Sequence, residues 1–160
     1  MIFDNTDIAK IYRLLSQYRL QIRSNMMAAN KWASGKTWAA TYVYVSANRY
    51  ELDCGLKTPS PIAMKVQETG RGPGYIPKDF KDTIYNWSIT KGIHFKSDKE
   101  RWQFVGAVVF NKIRKHGSKQ FRDGPRDDIF TKPWESYEQK LDDILKESIV
   151  KNVKKSVSFL

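Results

Sequence analysis

Residues 37–45 read Thr37-Trp38-Ala39-Ala40-Thr41-Tyr42-Val43-Tyr44-Val45, and residues 49–54 read Arg49-Tyr50-Glu51-Leu52-Asp53-Cys54. The first run is rich in β-branched and aromatic side chains, which suit a pleated surface. The second alternates polar and apolar residues, so one of its faces is wet and the other dry. With Ser46-Ala47-Asn48 as a turn between them, the two runs predict an antiparallel hairpin with one buried face. The patterns on either side are helical. The fold class is therefore α+β: a β-hairpin-based antiparallel sheet packed by four or five α-helices, with long helices at the N- and C-terminal ends.

Upstream, Ile8, Ile11, Tyr12, Leu15, Tyr18, Ile22 and Met26 recur at steps of three and four. This stripe predicts a helix over about 7–27, capped by Thr6 or Asp4. Downstream, Ser60 and Pro61 suit a helix cap and first position, and Gly70 suits the stop. Gly70-Arg71-Gly72-Pro73-Gly74 is a loop. Pro77 is expected to open a helix carrying Phe80, Ile84 and Trp87, with Gly92 ending it. Ser97-Asp98-Lys99-Glu100 is a capping box. Behind it Trp102, Val105, Val109 and Ile113 form an apolar stripe, widened by Val108 and Phe110, and Gly117 stops that helix. Trp87 and Trp102 are expected in the core. Ser118 to Pro125 is expected as polar loop, and Asp128-Ile129-Phe130-Thr131 as a short edge strand. Pro133 and Ser136 begin a last helix with the seam Tyr137, Leu141, Ile144, Leu145, Ile149 and Val153. No repeat or low-complexity linker interrupts the chain, so one domain over 1–160 is expected.

The 160 residues carry 28 Lys+Arg against 17 Asp+Glu, a formal charge of +11. Such an excess points to a polyanion partner or to a solvated surface. The charge is uneven: residues 91–126 hold 10 basic and 3 acidic side chains, whereas residues 127–145 hold 2 and 6. With one cysteine, Cys54, an intrachain disulfide cannot form. No apolar run approaches the roughly 18 residues of a membrane span. The first residues lack the pattern of a signal peptide, so the chain is expected to be soluble and intracellular when made, with no membrane partner.

Few residues carry catalytic chemistry. Ser34-Gly35-Lys36-Thr37 ends like a phosphate-binding loop, but that motif needs a glycine where Asn30 stands and a preceding strand. His94, His116 and Cys54 lie at no metal-ligand spacing from one another, and the same scarcity disfavours a Ser-His-Asp or Cys-His site. Asp142 and Asp143 diverge on a helix, and Glu51 and Asp53 share what should be the wet face of the hairpin. No enzyme, cofactor or metal is expected. Two segments stand out instead. Lys112, Arg114, Lys115, Lys119, Arg122 and Arg126, with Phe121 among them, make the best nucleic-acid candidate, through phosphates and not bases. Glu68-Thr69-Gly70-Arg71-Gly72-Pro73-Gly74 demands a fixed loop shape. Arg71 is either pinned to a carboxylate, with Glu68 nearest, or offered to a partner.

That loop carries a family resemblance. Glu68, Gly70, Arg71, Pro73 and Gly74, followed by Pro77, Ile84, Trp87, Lys91 and Gly92, and flanked by Gly35 and Gly117, resemble the order of parts in head–tail connector, neck and tail-completion proteins of tailed bacteriophages. The likeness runs from about Ile8 to Val153. It implies a structural virion protein at the portal–tail junction: a ring homo-oligomer beside the portal and neighbouring connector or tail proteins, with double-stranded DNA passing through. It implies partner contacts by Glu68, Gly70, Arg71, Pro73 and Gly74, and a place in the virion after assembly in the bacterial cytoplasm. The basic stretch then has two destinations, the DNA channel or the acidic Asp127, Asp128, Glu135, Asp142 and Asp143 of a neighbour. The alternative is a non-specific basic nucleic-acid-binding module.

Overall fold

The computed structural model describes residues 3–29, 36–48 and 51–157. In order, these form α1 (Asn5–Ala28), α2 (Lys36–Ala39), β1 (Tyr42–Ala47), β2 (Leu52–Lys57), α3 (Pro61–Thr69), α4 (Phe80–Thr90) and α5 (Asp98–Gly106). A π-helical segment (Ala107–Ile113) continues α5 into α6 (Arg114–His116), and α7 (Lys119–Asp123) and α8 (Thr131–Val157) follow. The chain is thus α+β, a two-stranded antiparallel sheet with long first and last helices. It divides into two compact units. One gathers α1, α2, the hairpin and α8; the other gathers α3 to α7 with the π segment.

In the first unit α1 packs against α8 and the hairpin. Asp4 caps α1: its Oδ1 accepts the Thr6 and Asp7 amides at 2.9 and 3.0 Å, and Asp7 Oδ2 accepts the Asp4 amide. Ile11, Leu14, Leu15, Tyr18, Ile22 and Met26 are buried along one face, while Tyr12, expected on that stripe, is exposed. On α8 the rings of Trp134 and Tyr137 each sit 5.2 Å from Tyr18. Ser148 is buried there, its hydroxyl donating to the Ile144 carbonyl. The expected seam members Ile149 and Val153 are exposed instead.

The hairpin pairs Tyr42 with Lys57 through Ala47 with Leu52. The strands close beyond the Ala47–Leu52 pair, later than the expected turn at 46–48: Asn48 N donates to the Glu51 carbonyl, and Asn48 Oδ1 accepts the Glu51 amide. Ser46 and Ala47 belong to β1. Residues 37–39, expected as strand, are helical. Arg19 explains this change. Its guanidinium donates to the Thr41 and Trp38 carbonyls and stacks over the buried Trp38 ring at 4.8 Å. The Trp38 carbonyl also accepts the Thr41 amide at 2.9 Å, a turn that separates α2 from β1. The expected strand at Asp128–Thr131 is likewise a turn running into α8. Asn25 Nδ2 donates to the Asp128 and Ile129 carbonyls and Tyr18 OH to that of Phe130, while Ile129 is fully buried.

In the second unit Pro61 takes the first turn of α3, although the Ser60 hydroxyl does not cap it. The helix carrying Phe80 opens at Phe80, three residues past Pro77, whose carbonyl accepts the Phe80 amide. Ser97 Oγ accepts the Glu100 amide, as in a capping box, but Glu100 reaches back to the Lys96 amide. Val105, Val109 and Ile113 are buried at steps of four. Four exceeds the 3.6 residues of an α turn, and the wider i→i+5 turn of the π segment accommodates it. Ser118 caps a short helix where loop was expected. Trp87 and Trp102, expected in the core, are 40% and 42% exposed. Trp102 stacks on Tyr85 at 4.5 Å, and Tyr85 donates to Asp98 Oδ1. The buried place inside α4 belongs to Ser88, which Arg101 Nη1 reaches at 2.8 Å.

Candidate functional site

The glycine–arginine loop and the basic stretch, far apart in sequence, form one surface of the second unit. Four hydrogen bonds join them. Ser118 N donates to the Arg71 carbonyl at 2.7 Å, and the Arg71 amide donates back to Ser118 Oγ at 2.9 Å. Gly74 N donates to the Arg114 carbonyl, and Arg126 N to that of Glu68. The loop glycines are required by this approach. Gly70 and Gly117 both have positive φ, at 71° and 75°. A Cβ on Gly70 would strike the backbone of Phe121, and one on Gly117 would lie 2.8 Å from the Arg71 carbonyl oxygen and the Phe121 ring. Both conditions select glycine.

Arg71 is half-buried. Its Nη2 donates to the Tyr75 carbonyl at 2.8 Å, and the guanidinium lies 4.6 Å from the centre of the Phe80 ring. Its Nε is buried without a hydrogen-bond partner. The arginine therefore shapes its own loop through a carbonyl and a ring. Glu68, the carboxylate nearest in sequence, is buried. Pro73 and Gly74 are exposed at the loop tip. Lys112, Arg114, Lys115, Lys119 and Arg122 are exposed, and Arg126 is half-buried.

Among the described residues of this unit, two cavities bear on this surface. One, of about 470 Å³, brings the apolar Val66, Ile84, Trp87 and Val108 beside Lys112 and Lys119. It accounts for half-exposed Trp87: the indole lines a groove. The other, of about 590 Å³, lies between the loop tip, α4, the π segment and α6, and is lined by Tyr75, Lys78, Lys81, Phe110 and Arg114. Of these only Arg114 stands out in the sequence. Tyr75 directly follows the glycine-rich loop, the one signal that could have drawn it in. Phe110 reads there as a core residue, because the π segment that turns it outward leaves no pattern of its own.

The groups with displaced pKa are not among the residues that form this surface. Burial, then the charge of Asp53, pushes the Cys54 thiol up. The Tyr44 and Tyr85 hydroxyls are raised by their bonds to Asp53 and Asp98. Among the described residues, no group of three His, Cys, Asp or Glu side chains could hold a metal ion. Among them also, no helix is long and apolar enough to cross a membrane. Asn30, Ser34 and Gly35, of the fragment set aside as a phosphate loop, lie outside the described residues, as does Gly35 of the family resemblance. Compared with known proteins, the chain matches no family model, no curated protein and no solved structure.

Proposed function

We propose that this chain is a non-catalytic virion subunit that forms a ring at the portal–tail junction of a tailed bacteriophage, where its basic surface meets passing double-stranded DNA through phosphates. The observation that carries this reading is the joining of the 68–74 loop to the 112–126 segment. A loop whose glycines and arginine fix its shape is joined to a segment carrying five exposed cations, Lys112, Arg114, Lys115, Lys119 and Arg122. Exposed apolar side chains in the same unit, Ile62, Tyr75, Ile89 and Phe121 among them, fit a protein that contacts others. The sequence resemblance supplies the context of portal, tail and virion. Several copies at +11 each would surround a channel with a strong positive field.

Negative-stain imaging of the purified full chain, alone and with DNA, tests the reading, with closed rings as the expected result. Charge reversal at Lys119 and Arg122, both exposed, then separates the two destinations of the basic surface. Intact rings with weakened DNA contact place the cations at the channel; failure to form rings places them between subunits. The same exposed cations also suit a non-specific nucleic-acid-binding module. That alternative predicts a monomer whose DNA affinity falls steeply with salt, by about 0.9 in log K per log salt for each phosphate contact.

A further inference from the structure

We infer that the cavity between the loop tip and the π segment is a nucleotide site, taking a phosphate among Lys78, Lys81 and Arg114 and an unstacked base against Tyr75. The inference concerns the second unit alone and does not need a ring. At about 590 Å³ the cavity has the size of small-ligand sites, which span roughly 300–1,000 Å³. Its lining contains three cations and no carboxylate. Among the described residues none of the three forms an ion pair. An uncompensated cluster of this kind favours an anion, and three separate cations suit a phosphate better than a lone carboxylate.

The aromatic residues divide the work. Lys81 Nζ lies 4.5 Å above the Phe110 ring, so Phe110 holds that cation in place. Tyr75 is 82% exposed, so its ring is free to stack. A ring so exposed gains nothing from the core, yet its backbone is fixed. The Tyr75 carbonyl accepts Arg71 Nη2, the neighbouring Gly74 amide is tied to the Arg114 carbonyl, and Pro73 and Pro77 stiffen either side. The backbones that carry the ring and the cation Arg114 are therefore tied to each other before any ligand arrives, so binding has only the two side chains to order. The π segment contributes by presenting Phe110 outward while Val109 and Ile113 remain buried; such segments recur at functional sites. Duplex bases are stacked on one another and do not offer a face to Tyr75. The ligand is a nucleotide with a free base, within a single strand or unattached.

The test uses the full chain and fluorescence anisotropy with a labelled oligothymidylate, an abasic strand of equal length and a duplex. Oligothymidylate should bind about tenfold or more tighter than the abasic strand, as one stacked base allows. Tyr75→Ala should bring the two within about twofold while leaving the salt dependence in place. Lys78→Ala with Lys81→Ala should reduce the slope of log K against log salt by up to about 0.7, the value for one lost single-strand phosphate contact. Displacement by thymidine monophosphate assigns the site to a free nucleotide, and its failure to displace assigns it to a nucleotide within a strand; both retain the site. Equal affinity for abasic and base-bearing strands, or a Tyr75→Ala chain that still distinguishes them, overturns the inference. Loss of rings with an intact base preference would contradict the ring reading and not this one.

Discussion

The two units of this chain are held by different means. In the first, Ile11, Leu15, Ile22 and Ile129 are almost wholly buried, and Trp38 and Tyr18 are close to it. Its helices carry a continuous apolar face, and side chains such as Arg19 and Asn25 tie loop carbonyls to α1. Among the described residues of the second, the buried apolar side chains are the short line Val105, Val109 and Ile113, while Trp87 and Trp102 stay half-exposed. Backbone hydrogen bonds and side-chain-free glycines do much of the joining there. Both units expose apolar side chains, but the first has the broader buried core, whereas the second joins exposed cations to a loop of fixed shape and lines two grooves with them. Function is accordingly proposed for the second.

Substitutions can break or sharpen this contrast. The largest effect is expected in the first unit, where Leu15→Ala should cost about 3–5 kcal/mol in chemical denaturation. A loss near 1 kcal/mol would mean that α1 is not packed as described. Next come the glycines of the second unit. Gly70→Ala combines a positive φ with a backbone collision, and should lower stability by about 2–4 kcal/mol. Gly106→Ala, where nothing lies within 4 Å of the added Cβ and φ is helical, should instead stabilise by about 0.5–1 kcal/mol. Equal effects at the two positions would remove the argument for the close approach at Phe121.

Trp87→Ala and Trp102→Ala should each cost about 1–2 kcal/mol, since half of each ring already faces solvent. A cost of 3–5 kcal/mol would return them to the core. The smallest effect belongs to the first unit again. Lys151 Nζ lies 2.6 Å from Asp4 Oδ2, and this bond, aided by the Asp7 amide, holds the Asp4 carboxyl well below its usual 3.8. A lowered carboxyl stabilises the fold above its unfolded value and loses that contribution as pH falls through the folded one. The thermal midpoint should therefore drop between about pH 4 and pH 2 by slightly more in the native chain than in Asp4→Asn. The pair is exposed, so a difference of many degrees would contradict its placement.

Much of this architecture was legible in the residues. The β-branched run around Val43, the Ser97 cap and the stops at Gly70 and Gly117 each follow from local chemistry. The misreadings have a common origin in contacts between distant segments. Trp38 looks like a strand residue until Arg19 takes its carbonyl. Ile129 looks like an edge strand until Asn25 and Tyr18 claim the carbonyls around it. Trp87 and Phe110 sit on apolar stripes whose outer members a thin core leaves uncovered. For the candidate surface, both segments could be picked out by composition, but their union through Ser118 could not. The second cavity was not legible because its residues come from a loop, two helices and a π segment without a shared motif.

The central claim is that the chain works as a ring with a cationic, DNA-facing surface on its second unit. The most direct measurement is negative-stain imaging of the purified full chain beside its Lys119→Glu, Arg122→Glu double variant, each with and without duplex DNA. Closed rings of the native chain that hold DNA, and rings of the variant that do not, are the predicted result. A native chain that stays monomeric at every concentration and in the presence of DNA would contradict the claim.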